Sequence, residues 1–204
     1  IVSVIWAQTG DEHAVRTTLS SLEAQSYESA GCWVLAPQTL ALPEEGSVER
    51  LHNEGDGFAA LQARLATTGE FDWVLLLRAG DRLVPHALAI MAERMALGGR
   101  LCLYPDEGGH DTLRAHTPIL KPDFNLDLMR SLPYVGRVLA FDCQALRTAG
   151  GFDSTFGSLA AHDLIWRLVE QHGLQVVEHI DQLLVHCQWD IDRWLRDPDI
   201  VAQA

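Results

Sequence analysis

Three short runs, residues 1–7 (IVSVIWA), 32–36 (CWVLA) and 72–77 (DWVLLL), are apolar at nearly every position rather than at alternate ones. A strand with one wet face alternates polar and apolar residues; a run without that alternation must be covered on both faces, as in a parallel sheet. Between the runs lie segments of helical spacing. Val15, Leu19 and Leu22 share one face after a turn at Thr9-Gly10 and a candidate cap at Asp11, and Phe58, Leu61 and Leu65 share another. This alternation predicts an α/β fold in one domain: a mostly parallel, Rossmann-like sheet with helices on both faces.

Weaker signals fill in the rest. Residues 47–52 read as a third strand, 84–97 as a helix ending at Gly98-Gly99, and 101–104 as a short strand. Residues 105–117 are polar and rich in Gly, His and Asp, which predicts a solvated active-site loop. Short elements are expected around Ile119, 124–130 and 138–141, then a helix over 160–171 and strands over 175–180 and 183–187. Ligands of such sheets bind beyond the carboxyl ends of the strands, so residues 7–10, 36–39 and 78–81 are expected to meet at one cleft.

Charge narrows the partners. The 204 residues carry 28 acidic and 15 basic side chains, a net −13, which disfavours nucleic acid and anionic membrane. An anionic substrate would need a local cation. No apolar run nears the roughly 20 residues of a membrane span, and Ile1 opens a strand without a basic leader, which predicts no signal peptide and a cytoplasmic chain. The absence of an initial Met predicts a domain excised from a longer protein, with an adjacent transferase domain. Cys32, Cys102, Cys143 and Cys187 form no CxxC pair and are expected as buried, reduced thiols. A Gly-x-Ser-x-Gly elbow, a P-loop and GxGxxG are all missing.

Ordered motifs then carry a resemblance. They are VSVI, Ser20-Ser21-Leu22-Glu23-Ala24-Gln25-Ser26-Tyr27, Trp33-Val34-Leu35, and the stretch from Gly69 through Leu77 to Gly80-Asp81-Arg82-Leu83-Val84-Pro85. Tyr104-Pro105-Asp106-Glu107, Lys121-Pro122-Asp123-Phe124, Tyr134-Val135-Gly136, Gly150-Gly151-Phe152-Asp153 and Asp163-Leu164-Ile165-Trp166 follow, with His186 after the last strand. In this order they resemble the family 2 glycosyltransferases of the GT-A fold over nearly the whole chain. The resemblance implies inverting transfer of a sugar from a nucleotide-diphosphate donor to a saccharide or protein acceptor, in bacterial polysaccharide biosynthesis. It also implies a divalent cation, Mg or Mn, held by a DxD motif, and a carboxylate base.

The sequence departs from that pattern where the chemistry is expected. The DxD aspartates align with Arg78 and Gly80, leaving Asp81; the turn after the first strand is Ala7-Gln8-Thr9-Gly10; the second strand ends in Ala36-Pro37-Gln38-Thr39; the base aligns with Ala161. The resemblance therefore assigns donor binding to Ala7, Gln38, Arg78 and Asp81, metal binding to Asp81 and His186, and the base to Asp163 or His162. For Arg78 two readings stand: its guanidinium pairs with the donor diphosphate in place of the metal, or it pairs with Asp81 or Asp106 and plugs the site. Asp81 also reads as a helix-start residue, Asp163 as a cap, Asp106 and Glu107 as solvated loop acids, and Trp166 and Trp189 as core or wall. His110 and His116 lack ligand spacing. Two functions follow, an active transferase with an altered site, or an inactive binding or scaffold domain of a multidomain transferase.

Overall fold

The computed structural model describes residues 1–8, 10–42, 48–52, 57–109 and 118–187. The first half is the expected alternation: β1 (Val2–Trp6), α1 (Glu12–Glu23), β2 (Gly31–Ala36), β3 (Val48–His52), α2 (Phe58–Thr67) and β4 (Trp73–Arg78). The short β5 (Arg82–Leu83) leads into α3 (Ala87–Ala96), then come β6 (Cys102–Gly109) and β7 (Pro118–Ile119). The chain continues through α4 (Leu126–Ser131), β8 (Leu139–Asp142), α5 (Cys143–Thr148) and α6 (Ala160–His172) to β9 (Val177–Cys187). Among the described residues the strands form one sheet in the order β3-β2-β1-β4-β8-β6-β9-β5, with β7 on β6.

The three unbroken apolar runs are β1, β2 and β4, and they pair in parallel, with β3 beyond β2. Beyond β4 the sheet becomes mixed: β8 is antiparallel to β4 and β6, while β9 runs parallel to β6. Helices cover both faces. Val4, Trp33 and Leu76 pack with Phe58, Leu61, Leu146 and Leu164 of α2, α5 and α6. Ile5, Val34 and Leu75 pack on the opposite face with Val15, Leu19, Leu88 and Met91 of α1 and α3. Successive strand residues feed opposite layers, the period-two geometry that made these runs wholly apolar.

Several expectations are corrected. The third helix starts at Ala87 rather than 84, because Val84 is spent on β5: its N–H donates to Leu184 O and its carbonyl accepts from Gln25. The strands expected over 175–180 and 183–187 are one continuous β9, with a register irregularity opposite Pro105, Asp106 and Glu107. Residues 105–109 belong to β6 and are mostly buried, not a solvated loop; residues 110–117, with His110 and His116, lie outside the described residues. Asp11 makes no side-chain cap on α1 and instead accepts the Gln8 N–H at 2.8 Å. All four cysteines are buried and unbridged.

Candidate active site

The three segments expected at the cleft do come together. Trp6 lies in register with Leu35 on one side and Arg78 on the other, so β1, β2 and β4 end at one edge. Ala7 N–H donates to Leu35 O and Ala79 N–H to Trp6 O, which ties the loops to neighbouring strand ends. Ala7 and Ala36 are buried; Gln38 is exposed in a turn.

The loop 78–81 is locally self-consistent. Gly80 sits at φ +96, a conformation that disfavours side chains, and its N–H donates to Thr18 Oγ1 at 2.9 Å. Asp81 is 1% exposed and its Oδ2 accepts the Arg78 N–H at 2.8 Å. The one surviving acid of the motif thus closes the loop onto its own backbone. Thr18→Val removes one of the two acceptors of the Gly80 N–H, the other being Ala14 O at 3.0 Å, together with the hydroxyl that donates to Arg78 O. It is expected to destabilise the fold by about 0.5–1.5 kcal/mol, the usual contribution of a hydrogen bond, which urea denaturation measures.

Behind this edge lies a polar network that sequence reasoning read as solvated. Lys121 Nζ pairs with Glu107 Oε1 at 2.6 Å, both side chains being 2% exposed, and donates to Val135 O at 2.9 Å. Asp106 Oδ1 accepts the Lys121 N–H at 2.8 Å and meets His179 Nε2 at 2.8 Å. His179 stacks on Tyr104, centroids 5.0 Å apart. Asp106 is therefore held by His179 and the Lys121 backbone, which corrects the reading that paired it with Arg78. Gly136, at φ +81, passes so close that an added Cβ would lie 2.3 Å from Glu107 Oε1. Lys121-Pro122-Asp123-Phe124 and Tyr134-Val135-Gly136 were visible as motifs, but His179 carried no local signal, because only the β6–β9 register places it beside Tyr104 and Asp106.

The thiol of Cys187, at the end of β9, is pushed well up by burial, then by Asp81 and Glu107, with Arg137 and Lys121 opposing. Burial likewise raises Cys32 to about 12 and Cys143 to about 11. None of these thiols is a ready thiolate nucleophile at neutral pH.

The base candidates sit at the start of α6. His162 is 5% exposed. Burial drives its pKa down to about 4, the Gly136 backbone opposes this, and the nearby Lys121 charge adds a smaller push downward. Asp163 is engaged by Arg167 at 2.7–2.8 Å, and Arg167 also donates to Ala149 O and Gly151 O, pinning α6 to the glycine turn. Trp166 is partly buried, with Arg130 5.8 Å from its ring centroid; Trp189 lies outside the described residues.

For a divalent cation the donor set does not fit. Asp81 and His186 come near each other, since His186 is the register partner of Arg82. No group of three or more His, Cys, Asp or Glu residues placed to hold a metal occurs among the described residues. Asp81 already spends one oxygen on its own loop, and Arg78 brings positive charge where a metal would need a carboxylate.

Comparison with known proteins places this geometry. No family model matches the chain. The chain is 36% identical over 154 residues to the O-antigen biosynthesis protein RfbC of Myxococcus xanthus, covering 74% of this chain and 11% of RfbC. It is 26% identical over 185 residues to the uncharacterized protein y4gI of Sinorhizobium fredii, covering 81% of this chain and 20% of that protein. The chain thus spans a tenth to a fifth of the length of these relatives. Among solved structures, S. aureus TarS in complex with UDP superposes with a TM-score of 0.64 at 15% identity, over 91% of this chain and 60% of that one. A second TarS structure gives 0.67 at 13% identity, over 99% and 41%, and the complex with UDP-GlcNAc gives 0.61. The fold is that of the GT-A nucleotide-sugar transferases. With the RfbC relationship, it bears out the resemblance to family 2 glycosyltransferases. No helix among the described residues is long and apolar enough to cross a membrane.

Proposed function

We propose that this chain is a glycosyltransferase-like, nucleotide-sugar-binding domain of a longer polysaccharide-biosynthesis protein, in which Arg78 takes the diphosphate position that a metal occupies elsewhere. The observation that carries the reading is the meeting of residues 7–10, 36–39 and 78–81 at one strand edge, with Arg78 ending the central β4. The likeness to TarS bound to UDP and to UDP-GlcNAc supports a nucleotide-sugar donor, and the RfbC name supports a saccharide acceptor. A guanidinium supplies paired N–H donors matched to phosphate oxygens. A unit charge pair near 4 Å is worth roughly 4 kcal/mol at an effective dielectric of about 20. That offsets part of what a cation would contribute to the leaving diphosphate. In this reading the nucleobase would lie over Ala7, with the exposed Gln38 amide as a hydrogen-bonding group for it. We place the domain in the cytoplasm, where nucleotide sugars are made.

A second reading, an inactive binding or scaffold domain, is favoured by the base positions. Ala161 carries no proton acceptor, His162 is sealed from solvent, and Asp163 is engaged by Arg167. Sugar transfer through Asp163 would require that contact to open. Calorimetric titration with UDP, GDP and TDP sugars, with and without manganese, separates the readings. The first expects metal-independent binding that weakens about ten- to a hundredfold in Arg78→Ala, the effect of losing a charged hydrogen bond. Unchanged affinity would refute the role of Arg78, manganese-dependent binding would refute the metal-free site, and no binding to any donor would leave the scaffold.

A further inference from the structure

One surface of this acidic chain is basic. A groove of about 750 Å³ runs between α1 and the β5 edge strand, with His13, Arg16, Thr17 and Ser20 on one wall and Arg82 and His186 on the other. The four α1 residues are spaced i, i+3, i+4 and i+7, a single helical stripe. Arg82 and His186 are register partners on β5 and β9. Gly108 flanks His186 on the other side, and a Cβ there would lie 2.7 Å from His186 Nδ1, so the missing side chain makes room for the imidazole. No acid lines the groove among the described residues, although acids outnumber Lys and Arg by 28 to 15 in the chain.

The two arginines are set apart from the rest. Arg64, Arg94, Arg100, Arg130 and Arg167 form ion pairs, Arg50 and Arg147 donate to backbone carbonyls, and Arg78 and Arg137 also have partners. Among the described arginines, Arg16 and Arg82 alone make neither a side-chain hydrogen bond nor an ion pair, and both line this groove. In a chain with so many carboxylates, arginines usually find one. Two guanidiniums that no carboxylate engages, beside two imidazoles and the Ser20 hydroxyl, make a surface rich in hydrogen-bond donors.

We propose that this groove is a phosphate-binding site, distinct from the edge formed by residues 7–10, 36–39 and 78–81, which takes the phosphate or diphosphate group of a ligand. Guanidinium forks match phosphate oxygens two at a time, and the Ser20 hydroxyl adds a donor. The groove shares no lining residue with those three segments. The net charge of −13 decides the size of the ligand. Beyond a Debye length of about 8–10 Å the chain repels a polyanion, whereas within it the groove attracts a compact one. The inference does not depend on Arg78 or on donor binding.

The test measures inorganic pyrophosphate binding by calorimetry, and co-sedimentation with phosphatidylcholine vesicles with and without phosphatidic acid. These use the wild-type chain, Arg16→Ala/Arg82→Ala and Arg16→Lys/Arg82→Lys. The proposal expects pyrophosphate to bind the wild type and to weaken at least about tenfold in the alanine variant, with UDP affinity unchanged. The lysine variant keeps both charges but loses the bidentate forks, and is expected to bind between the wild type and the alanine variant. Retention on phosphatidic acid vesicles, lost in the alanine variant, marks a lipid headgroup as the source; pyrophosphate binding without vesicle binding marks a soluble phosphate. Binding of neither probe, equal binding by the alanine variant, or one-for-one displacement of pyrophosphate by UDP would overturn it. Thermal melts matching the wild type certify that the alanine variant is folded, and the lysine variant, which keeps both charges, gives a second reading if it is not.

Discussion

Glu107→Ala is expected to destabilise the domain by about 3–5 kcal/mol, because it leaves the Lys121 ammonium in a dry site with one carbonyl for company. Both partners are 2% exposed and 2.6 Å apart, and the remaining acceptor for Nζ is Val135 O at 2.9 Å. Since a domain of this kind is stable by only about 5–15 kcal/mol, the variant is expected to be partly unfolded well below the wild-type midpoint. Lys121→Met strands the opposite charge and is expected to cost a similar amount. The pair Glu107→Met/Lys121→Met removes both charges and is expected to recover most of the loss, since buried ion pairs roughly balance their own desolvation. Guanidinium denaturation of the three variants reads all of this. A single-variant effect below about 1 kcal/mol would mean that water reaches the pair.

His162 predicts the acid limb of stability. Its folded pKa of about 4 lies below the unfolded value of 6.5, so the unfolded chain binds an extra proton between the two. The stability gained from keeping the ring neutral is therefore complete above pH 6.5 and is lost as pH falls from 6.5 towards 4. Over that window the loss is about 3 kcal/mol, at 1.36 kcal/mol for each unit between the two values. His162→Gln is expected to flatten the curve of stability against pH across this range while keeping a polar group near the Gly136 backbone. An unchanged slope would show that other groups set the acid limb. The same burial bears on catalysis, because a ring that stays neutral down to about pH 4 is a weak acceptor for an acceptor hydroxyl.

The parallel core was legible because it depends on local composition. Val4, Ile5, Val34, Leu75 and Leu77 sit in runs where both faces of the strand are apolar, and such runs have few other places to go. The convergence of the three loops followed from strand direction alone. The mixed half of the sheet was harder to read. Asp106 and Glu107 look like loop residues because sequence shows their charge but not their neighbours, and Lys121 and His179 lie 14 and 73 positions from their respective partners. Val84 has helical spacing, yet its backbone is claimed by Leu184, a hundred residues on.

By itself the sequence determined the α/β class, the cleft edge, the family likeness, and the presence of Arg78 and Gly80 where that likeness expects acids. These are properties of contiguous stretches. Only the tertiary structure decided that Asp81 is folded back on its own loop, that His162 is sealed and Asp163 engaged, and that Arg16 and Arg82 share a groove that has no carboxylate among the described residues. Each depends on the field and solvent access created by residues distant in the chain. Burial and pairing are relations between segments, and the order of residues along one segment does not contain them.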